Sequence, residues 1–510
     1  MKNFNRYIKS KTLLTASLML LFQIPTILTA QNRGNALGFQ GIENVSMLSA
    51  KSAGLGEAYT AMSGDINALF YNPAGLSSIK ALQISLNTQG LTQSWRENQE
   101  YRPNRRFFTL PFYLERLYIP DPSNNGRWDH EVFFEGLLDT SYVVSRPDTG
   151  LDPYSEDAAN WKKTLNESGI CNLSVALPFS VGTVSLTFAA GIAINSPVYD
   201  YDRNETWLDP HIAYIEYDLI PQVDGSDTVR MNWFDFERSR SGSANNFYGA
   251  LSGNIFPWLS AGFGIEYSTA ETDDQLNKNK IGYFDLYYEN QFMYSYDTLD
   301  IKYEGTSTFN SLKTNLGLLV KKDNISVGFR VNFPYTIQRD FSYEKSETDT
   351  LGTTITEVSG TEKVKVPVGF SVGLVLNPAE KFLMTLDWST MPYSNATWTW
   401  EESLEGEQRE WANQQLLRFG LEVRPVELLS LRGGYQTISQ VFIPDGAART
   451  DKGPEREIWS LGIGVHIGKW GTLDATFLYS NLRYYDQYFS NTNYVTDQSR
   501  HWVFGYTYNF

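Results

Sequence analysis

The last nine residues of the chain, 502–510, constrain its fold more than any other stretch. Aromatic residues occupy every second position there, namely Trp502, Phe504, Tyr506, Tyr508 and Phe510. Because successive side chains of a β-strand point to opposite faces, the rings form one continuous aromatic face. A soluble sheet that exposed such a face would aggregate, whereas a transmembrane β-barrel turns it toward lipid. The stretch therefore predicts a wall strand of a membrane barrel, and a soluble β-sandwich is the alternative.

The N-terminal residues predict a secretory signal peptide over residues 1–30. Four basic residues and no acidic one accompany an apolar run at 13–22, and Ala30 is a small residue at the expected cleavage point. That run is too short to cross a bilayer as a helix. The mature chain is expected to begin at Gln31, which, unlike a cysteine, carries no lipid anchor. No later segment has twenty consecutive apolar residues, so spanning helices are not expected.

Charge and cysteine content exclude several classes of function. The chain has a formal net charge of −16, and removal of the basic leader leaves 38 basic against 58 acidic residues, or −20. Such a balance disfavours nucleic acid as a partner. Cys171 is the only cysteine, which excludes a disulfide framework and a thiolate metal cluster.

Alternation of apolar with small or polar residues recurs beyond about residue 245 and predicts further barrel strands. One strand alternates four apolar residues with four charged or small ones: Leu417, Arg418, Phe419, Gly420, Leu421, Glu422, Val423 and Arg424. The stretch 461–468 repeats this pattern with three glycines and His466 on the second face. These glycines leave room for another segment to fill the interior.

The inward face of the predicted wall carries charges, listed here: Asp387, Arg418, Glu422, Arg424, Arg432 and Asp474. Such groups are stable in a lumen that is either filled with water or internally paired. The sequence alone leaves both arrangements open.

Connections between the predicted strands alternate in length. Short turns are expected at 321–324, 377–380, 424–427 and 468–471, and longer polar segments at about 338–364, 392–413 and 440–456. Bacterial outer-membrane barrels have short periplasmic turns and longer extracellular loops. The stretches 91–168 and 196–245 are rich in Tyr, Trp, Asp, Pro and Asn. They predict large loops with two further strands.

Residues 44–86 carry the pattern that bears on function. Small residues dominate up to Gly64, and the turn sequence Asn72-Pro73-Ala74-Gly75 follows. A first wall strand is expected from about Ile79. A small-residue segment packs closely against other backbone but forms no core of its own, so this one is expected inside the barrel.

With these residues, the chain resembles the outer-membrane transporters of long-chain fatty acids and aromatic hydrocarbons, the FadL/TodX type. The resemblance covers 38–86 and about 245–510, and the end at Phe510 is similar to the signal that outer-membrane proteins present to their assembly machinery. It implies an all-β, transmembrane antiparallel barrel of about fourteen strands with an N-terminal hatch inside the lumen. The implied domains are a signal peptide at 1–30, a hatch at 31–77 and a barrel with long extracellular loops at 78–510.

The same resemblance implies passive uptake of a hydrophobic molecule across the bacterial outer membrane. The ligand, a long-chain fatty acid or an aromatic hydrocarbon, would enter an apolar pocket and leave through a lateral gap after a shift of the hatch. Asn72, Pro73 and Ala74 are carried over as hatch residues, and no ligand-binding residue is assigned. The expected partners are this ligand, outer-membrane lipid and the barrel assembly machinery.

Other functions predict different features. An enzyme is not expected, because His130, His211, His466 and His501 have neither metal-ligand spacing nor a neighbouring nucleophile motif. No cofactor or metal is expected either. A second hypothesis is a barrel accessory protein of type IX secretion or outer-membrane assembly, which would use its aromatic loops to bind protein partners. A simple porin is a third.

Overall fold

A computed structural model describes residues 38–41, 48–101, 150–209, 229–287, 291–400, 411–444, 447, 451–488 and 491–510. The predicted signal peptide and parts of the predicted hatch and loops lie outside these ranges. Within them, no helix has the length and apolar character needed to span a membrane.

The described residues form a closed antiparallel barrel of fourteen wall strands. Its strands are β1 Gln83–Tyr101, β2 Trp161–Val181, β3 Val184–Asp209, β4 Val229–Phe256, β5 Leu259–Tyr287, β6 Gln291–Lys322, β7 Ile325–Asn332, β8 Tyr335–Asp349, β9 Gly352–Val366, β10 Gly369–Ala379, β11 Phe382–Met391, β12 Thr397–Trp400, β13 Gln414–Val426, β14 Leu429–Ser439, β15 Glu455–His466, β16 Thr472–Tyr488 and β17 Asn491–Asn509. This confirms the predicted all-β antiparallel barrel of about fourteen strands.

Three wall strands consist of two consecutive pieces, β7 with β8, β9 with β10, and β11 with β12. Pro334, Pro367 and Pro392 lie at the three breaks. Proline has no amide hydrogen to donate to a ladder, so pairing is interrupted at each of them. The neighbouring strand β6 accordingly pairs with β7 over one part of its length and with β8 over another.

The C-terminal strand closes the barrel. β17 pairs with β1 from Gln83↔Asn509 to Tyr101↔Asn491, and the Phe510 amide donates to the Leu82 carbonyl over 2.9 Å. Closure leaves neither strand with an open edge. Trp502 and Phe504 are half-exposed on the outer face, while Val503 between them is fully buried. The predicted aromatic outer face is therefore confirmed.

Two interpretations of the loops were wrong. The segment 338–364 is a hairpin of β8 and β9 rather than a loop, and the described parts of 91–245 belong mainly to β1, β2, β3 and β4. These strands run far beyond the ten or so residues that cross a bilayer. Outside the bilayer the outer face of a strand meets water instead of lipid and carries polar residues, so the contrast between the two faces weakens in the sequence. The first strand also begins slightly later than predicted, at Gln83.

Candidate functional site in the barrel lumen

The segment 48–79 lies inside the ring of strands. It contains α1 (Ala50–Gly54), α2 (Ala68–Tyr71) and a 3-10 helix at Pro73–Ser78. The side chain of Ser49 caps α1 by accepting from the Ser52 amide at 3.1 Å. α1 contacts β14–β17, whereas the 3-10 helix contacts β3–β6. The segment thus spans the lumen between opposite parts of the wall.

Asn72, Pro73 and Ala74 fasten this lumenal segment to the wall. The Asn72 side chain is fully buried and donates to the carbonyls of Thr60 at 2.7 Å and Leu318 at 3.1 Å, the latter on β6. Its Oδ1 accepts from the Ala74 amide at 3.1 Å, which starts the 3-10 helix with Pro73 in its first turn. One asparagine therefore joins wall, segment and helix.

Lumen-facing glycines form a band on which the segment rests. The glycines of this band come from seven strands: Gly262, Gly317, Gly328, Gly373, Gly420, Gly434 and Gly462. A Cβ at Gly262 would lie 2.5 Å from the Pro73 carbonyl carbon, and one at Gly434 would clash with the Gly56 amide nitrogen. Glycine is required here because backbone meets backbone at the wall.

Of the charges predicted to face inward, all but Arg418 have close polar partners among the described residues. Arg432, whose side chain is fully buried, donates to Glu422 at 2.6 Å and to Asp474 at 2.5 Å. Arg424 shares Glu422 from a more exposed position at 2.8 Å, and Asp387 accepts from the Thr60 amide at 2.6 Å. Of the two arrangements left open by the sequence, internal pairing holds for these groups.

Glu57 is a buried acid of the lumenal segment, outside the wall strands. Burial raises the pKa of Glu57 to about 8, although Arg418 and the Ser52 hydroxyl act in the opposite direction. Burial also raises the pKa of Asp65 in the same segment. The Lys51 ammonium, 2.5 Å away, outweighs this effect and lowers the pKa of Asp65 below its ordinary value. Of these two acids, Glu57 is therefore the one that is protonated near neutral pH.

Replacing Glu57 with glutamine is expected to reduce the pH dependence of stability. The folded-state pKa of about 8 lies above the ordinary 4.5. Glu57 therefore contributes most to the free energy of unfolding below pH ~4.5, and this contribution is lost as the pH rises toward ~8. We expect the thermal midpoint of the wild type to fall by roughly 5 °C between pH 5 and pH 8 through this group. Equal pH dependence in the wild type and Glu57→Gln would contradict this assignment.

Two of the cavities lined by described residues meet in the lumen, and the larger of the two adjoins the lumenal segment. The larger, of about 290 Å³, is lined by Glu57, Phe70 and Tyr71 of the segment and by wall residues that include Arg330 and Arg418. The smaller, of about 120 Å³, lies against β1, β2 and the C-terminal strands. Both are lined by Ser196, Pro197 and Gln414, which places β3 at their junction. The resemblance implied an apolar pocket, but the lining of the larger cavity is mixed.

A seam without backbone pairing runs beside this junction, between β2 and β3. The two strands pair only from Val181↔Val184 to Asn172↔Ala193, and no further ladder joins them among the described residues. A bulge at 193–196 turns β3 away, with Asn195 at φ 51°. Beyond this bulge, side-chain contacts take the place of backbone hydrogen bonds between the two strands.

The contacts across this seam are aromatic and polar. The Trp161 ring meets the Tyr201 ring edge-on at 5.1 Å, and its Nε1 donates to the Arg203 carbonyl at 3.1 Å. Lys163 lies 5.0 Å from the centre of the Tyr201 ring. Side chains change rotamers more readily than a β-ladder breaks, so this is a weak line in the wall.

Comparisons with known proteins agree with this architecture. No protein-family model matches the sequence, and no curated protein is significantly similar to it. A Pseudomonas aeruginosa FadL homologue of known structure is similar with a TM-score of 0.57 at 14% identity, over 94% of this chain and 100% of its own. The chain has the FadL-type barrel fold.

Two further FadL-type structures support the same conclusion. The P. putida toluene transporter TodX has a TM-score of 0.56 at 12% identity, over 92% of this chain and 99% of its own. The CymD monoaromatic hydrocarbon channel has a TM-score of 0.51 at 10% identity, over 91% and 97%. At sequence identities this low, the similarity shows a shared fold only. The transport activities named above are those of the other proteins.

Some lumenal residues of this FadL-type barrel were not predicted. Sequence reasoning singled out Asn72, Pro73 and Ala74, which the structure brings together against β5 and β6. It missed Ser196 at the cavity junction and Phe39, which is buried in the lumen. An aromatic residue between Gly38 and Gly41, upstream of a small-residue segment, was the available signal for Phe39. Among the described residues, no His/Cys/Asp/Glu group is arranged to hold a metal ion.

Proposed function

We propose that this protein is an outer-membrane channel for the passive uptake of hydrophobic molecules such as long-chain fatty acids. The observation that carries the proposal is the junction of two lumenal cavities at Ser196 and Pro197, beside the unpaired seam of β2 and β3. A cavity that reaches a weak line in the wall offers a path from the lumen into the bilayer. The FadL-type fold, shared with a toluene transporter, supports the same assignment.

In this mechanism the ligand passes from the outer end of the barrel into the larger cavity, and then sideways through the seam. The lumenal segment, held by Asn72, Pro73 and Ala74, acts as the hatch that closes the short-turn end. Lateral exit keeps an apolar molecule out of water. Flux follows the concentration gradient, so no energy-coupling group is required.

The mixed lining of the larger cavity supports an amphiphilic ligand. Arg418 lines it and is largely buried. Among the described residues its one side-chain hydrogen bond is a long one of 3.5 Å to the Ser389 hydroxyl, its Nε has no partner, and the nearby carboxyl groups of Asp387 and Glu57 form no direct ion pair with it. A buried guanidinium is stabilised by a carboxylate, which it binds in two-pronged fashion. The headgroup of a fatty acid supplies that carboxylate.

A tryptophan at position 196 is expected to block uptake. Ser196 is buried and lines both cavities, so an indole there fills their junction. We expect the initial rate of uptake of radiolabelled oleate by cells to fall roughly tenfold, because the ligand must displace a bulky side chain. Ser185→Trp is the matched control, since Ser185 lies exposed on the same strand, β3, in the part that pairs with β2.

The outcomes separate channel from accessory protein. Unchanged uptake with Ser196→Trp, in a barrel that still shows heat-modifiable migration on gels, would argue against this route. Co-purification with a stoichiometric secretion partner, together with normal uptake after gene deletion, would contradict the channel itself. The segments 102–149 and 210–228, on which the partner hypothesis rests, lie outside the described residues.

A further inference from the structure

The outer part of β3 separates the two cavities of the lumen. Val198 lines the larger cavity and Tyr199 lines the smaller one, because successive side chains of a strand point to opposite faces. The smaller cavity therefore lies on the other side of β3 from the larger one. It is enclosed between that face of β3 and the inner faces of β1 and of β13–β17.

The floor of the smaller cavity is apolar and rests on the lumenal segment. Ala50 and Ala53 of α1 belong to the same hydrophobic cluster as this floor. An apolar floor binds alkyl groups and the C–H faces of polar molecules, but it offers them no hydrogen bond. Four buried residues of the wall form it, namely Cys171, Ile438, Ile458 and Leu478.

The walls of the smaller cavity are polar, but their charge is already paired. Among the described residues that line it, Arg456 is the one charged side chain. Its guanidinium donates to Asp497 at 2.5 Å and to the Ser480 hydroxyl at 3.2 Å. Gln93 donates to both carboxylate oxygens of the same Asp497, at 3.0 and 3.1 Å. An ionised ligand therefore finds no free counter-charge in this lining.

Two polar groups of these walls are unused. The side-chain amide of Gln440 and the hydroxyl of Ser499 line the cavity, and neither makes a hydrogen bond to another described residue. Gln440 is only 7% exposed. A buried amide is destabilising unless it is hydrogen-bonded, and a hydroxyl group satisfies both its donor and its acceptor. The lining therefore suits a ligand that is uncharged and carries hydroxyl groups.

The smaller cavity reaches the wall at the seam between β2 and β3. Cys171 is the first residue of β2 beyond the ladder that ends at Asn172↔Ala193. The next residue, Ile170, is 45% exposed on the outer face. Pro197 bounds the cavity from the side of β3. An alkyl chain that leaves between Cys171 and Pro197 enters the bilayer, while a polar head remains inside.

We propose that the smaller cavity binds an uncharged amphiphile with a small hydroxylated head, such as the glycerol of a monoacylglycerol. The head exchanges hydrogen bonds with Gln440 and Ser499, its carbon skeleton lies on the apolar floor, and its acyl chain runs through the seam. An anionic head is disfavoured here because Arg456 is already paired. This second ligand class goes beyond the proposed uptake of fatty acids and stands without it.

The test compares two ligands with the same acyl chain, monooctanoylglycerol and octanoate. Their binding to purified full-length protein in amphipol is measured by isothermal titration calorimetry, with empty amphipol as the blank. Gln440→Leu keeps the size of the side chain and removes its amide, so it is expected to weaken monooctanoylglycerol binding roughly tenfold. Gln415→Leu is the matched control and should bind like the wild type, since Gln415 is exposed on the outer face of β13.

Two further variants separate the two cavities. Ser499→Phe fills the smaller cavity and is expected to abolish monooctanoylglycerol binding. Arg418→Met removes the head-group partner proposed for the larger cavity, so it is expected to weaken octanoate binding roughly tenfold without changing the affinity for monooctanoylglycerol. Heat-modifiable migration confirms that each variant is folded.

Equal affinity of Gln440→Leu and Gln415→Leu for monooctanoylglycerol would overturn the proposal, and so would wild-type affinity in Ser499→Phe. No binding of monooctanoylglycerol to the wild type would overturn it as well. Equal weakening of both ligands by Gln440→Leu would refute the separate ligand class. Octanoate binding that is insensitive to Arg418→Met, beside monooctanoylglycerol binding that depends on Gln440, counts against the proposed fatty acid site alone.

Discussion

Replacing Gly434 with valine is expected to push the lumenal segment off the wall and open the barrel to ions. A side chain at this position meets the Gly56 backbone, which cannot move without lifting the segment. Overpacking of this kind costs about 1–3 kcal/mol. The undocked population should then rise roughly ten- to hundredfold. Single-protein conductance in planar bilayers measures the open time directly.

The adjacent residue supplies the control for this experiment. Gly433 lies on the same strand, and a Cβ there meets no atom within 4 Å. Gly433→Val therefore adds the same side chain to β14 without touching the segment, and its conductance should equal that of the wild type. If the two variants behave alike, the glycine band does not seat the segment.

Replacing Arg432 with methionine is expected to destabilise the barrel by about 3–5 kcal/mol, because two carboxylates lose their buried partner. Glu422 and Asp474 both contact this guanidinium and have almost no exposure of their own. The free energy of unfolding in urea, measured on protein reconstituted in phospholipid vesicles, tests the size of the loss.

Arg424→Met is the matched comparison for that loss. Arg424 pairs with the same Glu422, but its side chain is 46% exposed. A pair open to solvent contributes less than about 1 kcal/mol, so this variant should remain close to the wild type. The triple variant with Glu422→Gln, Arg432→Met and Asp474→Asn should recover much of the stability. Equal losses for Arg432→Met and Arg424→Met would refute the role of burial.

Alternation made the wall predictable where the strands cross the bilayer. Leu417, Phe419 and Val423 face outward as expected, and Arg418 and Glu422 face inward. Lipid on one side and a packed lumen on the other impose opposite chemistry on neighbouring residues. The prediction failed over much of 91–245, where long strands run beyond the bilayer and that contrast weakens.

The candidate site was predictable only in part. Asn72-Pro73 is a local turn signal, so its place at the start of a short helix follows from the chain itself. The partners of Asn72 could not be predicted, since Thr60 and Leu318 are brought to it by the closed barrel. The inward charges were identified from the pattern, but their pairing depends on register across the four strands β13 to β16.

The sequence by itself determined a membrane barrel closed by the aromatic strand 502–510. Neighbouring residues of a strand face opposite surroundings, so their alternating polarity can be read directly from the sequence. Only the tertiary structure decided what fills the lumen. The seating of the segment on the glycines, the burial of Phe39 beside Phe309 and the seam between β2 and β3 join residues far apart in the chain. Such contacts depend on strand order and register, which a local period does not specify.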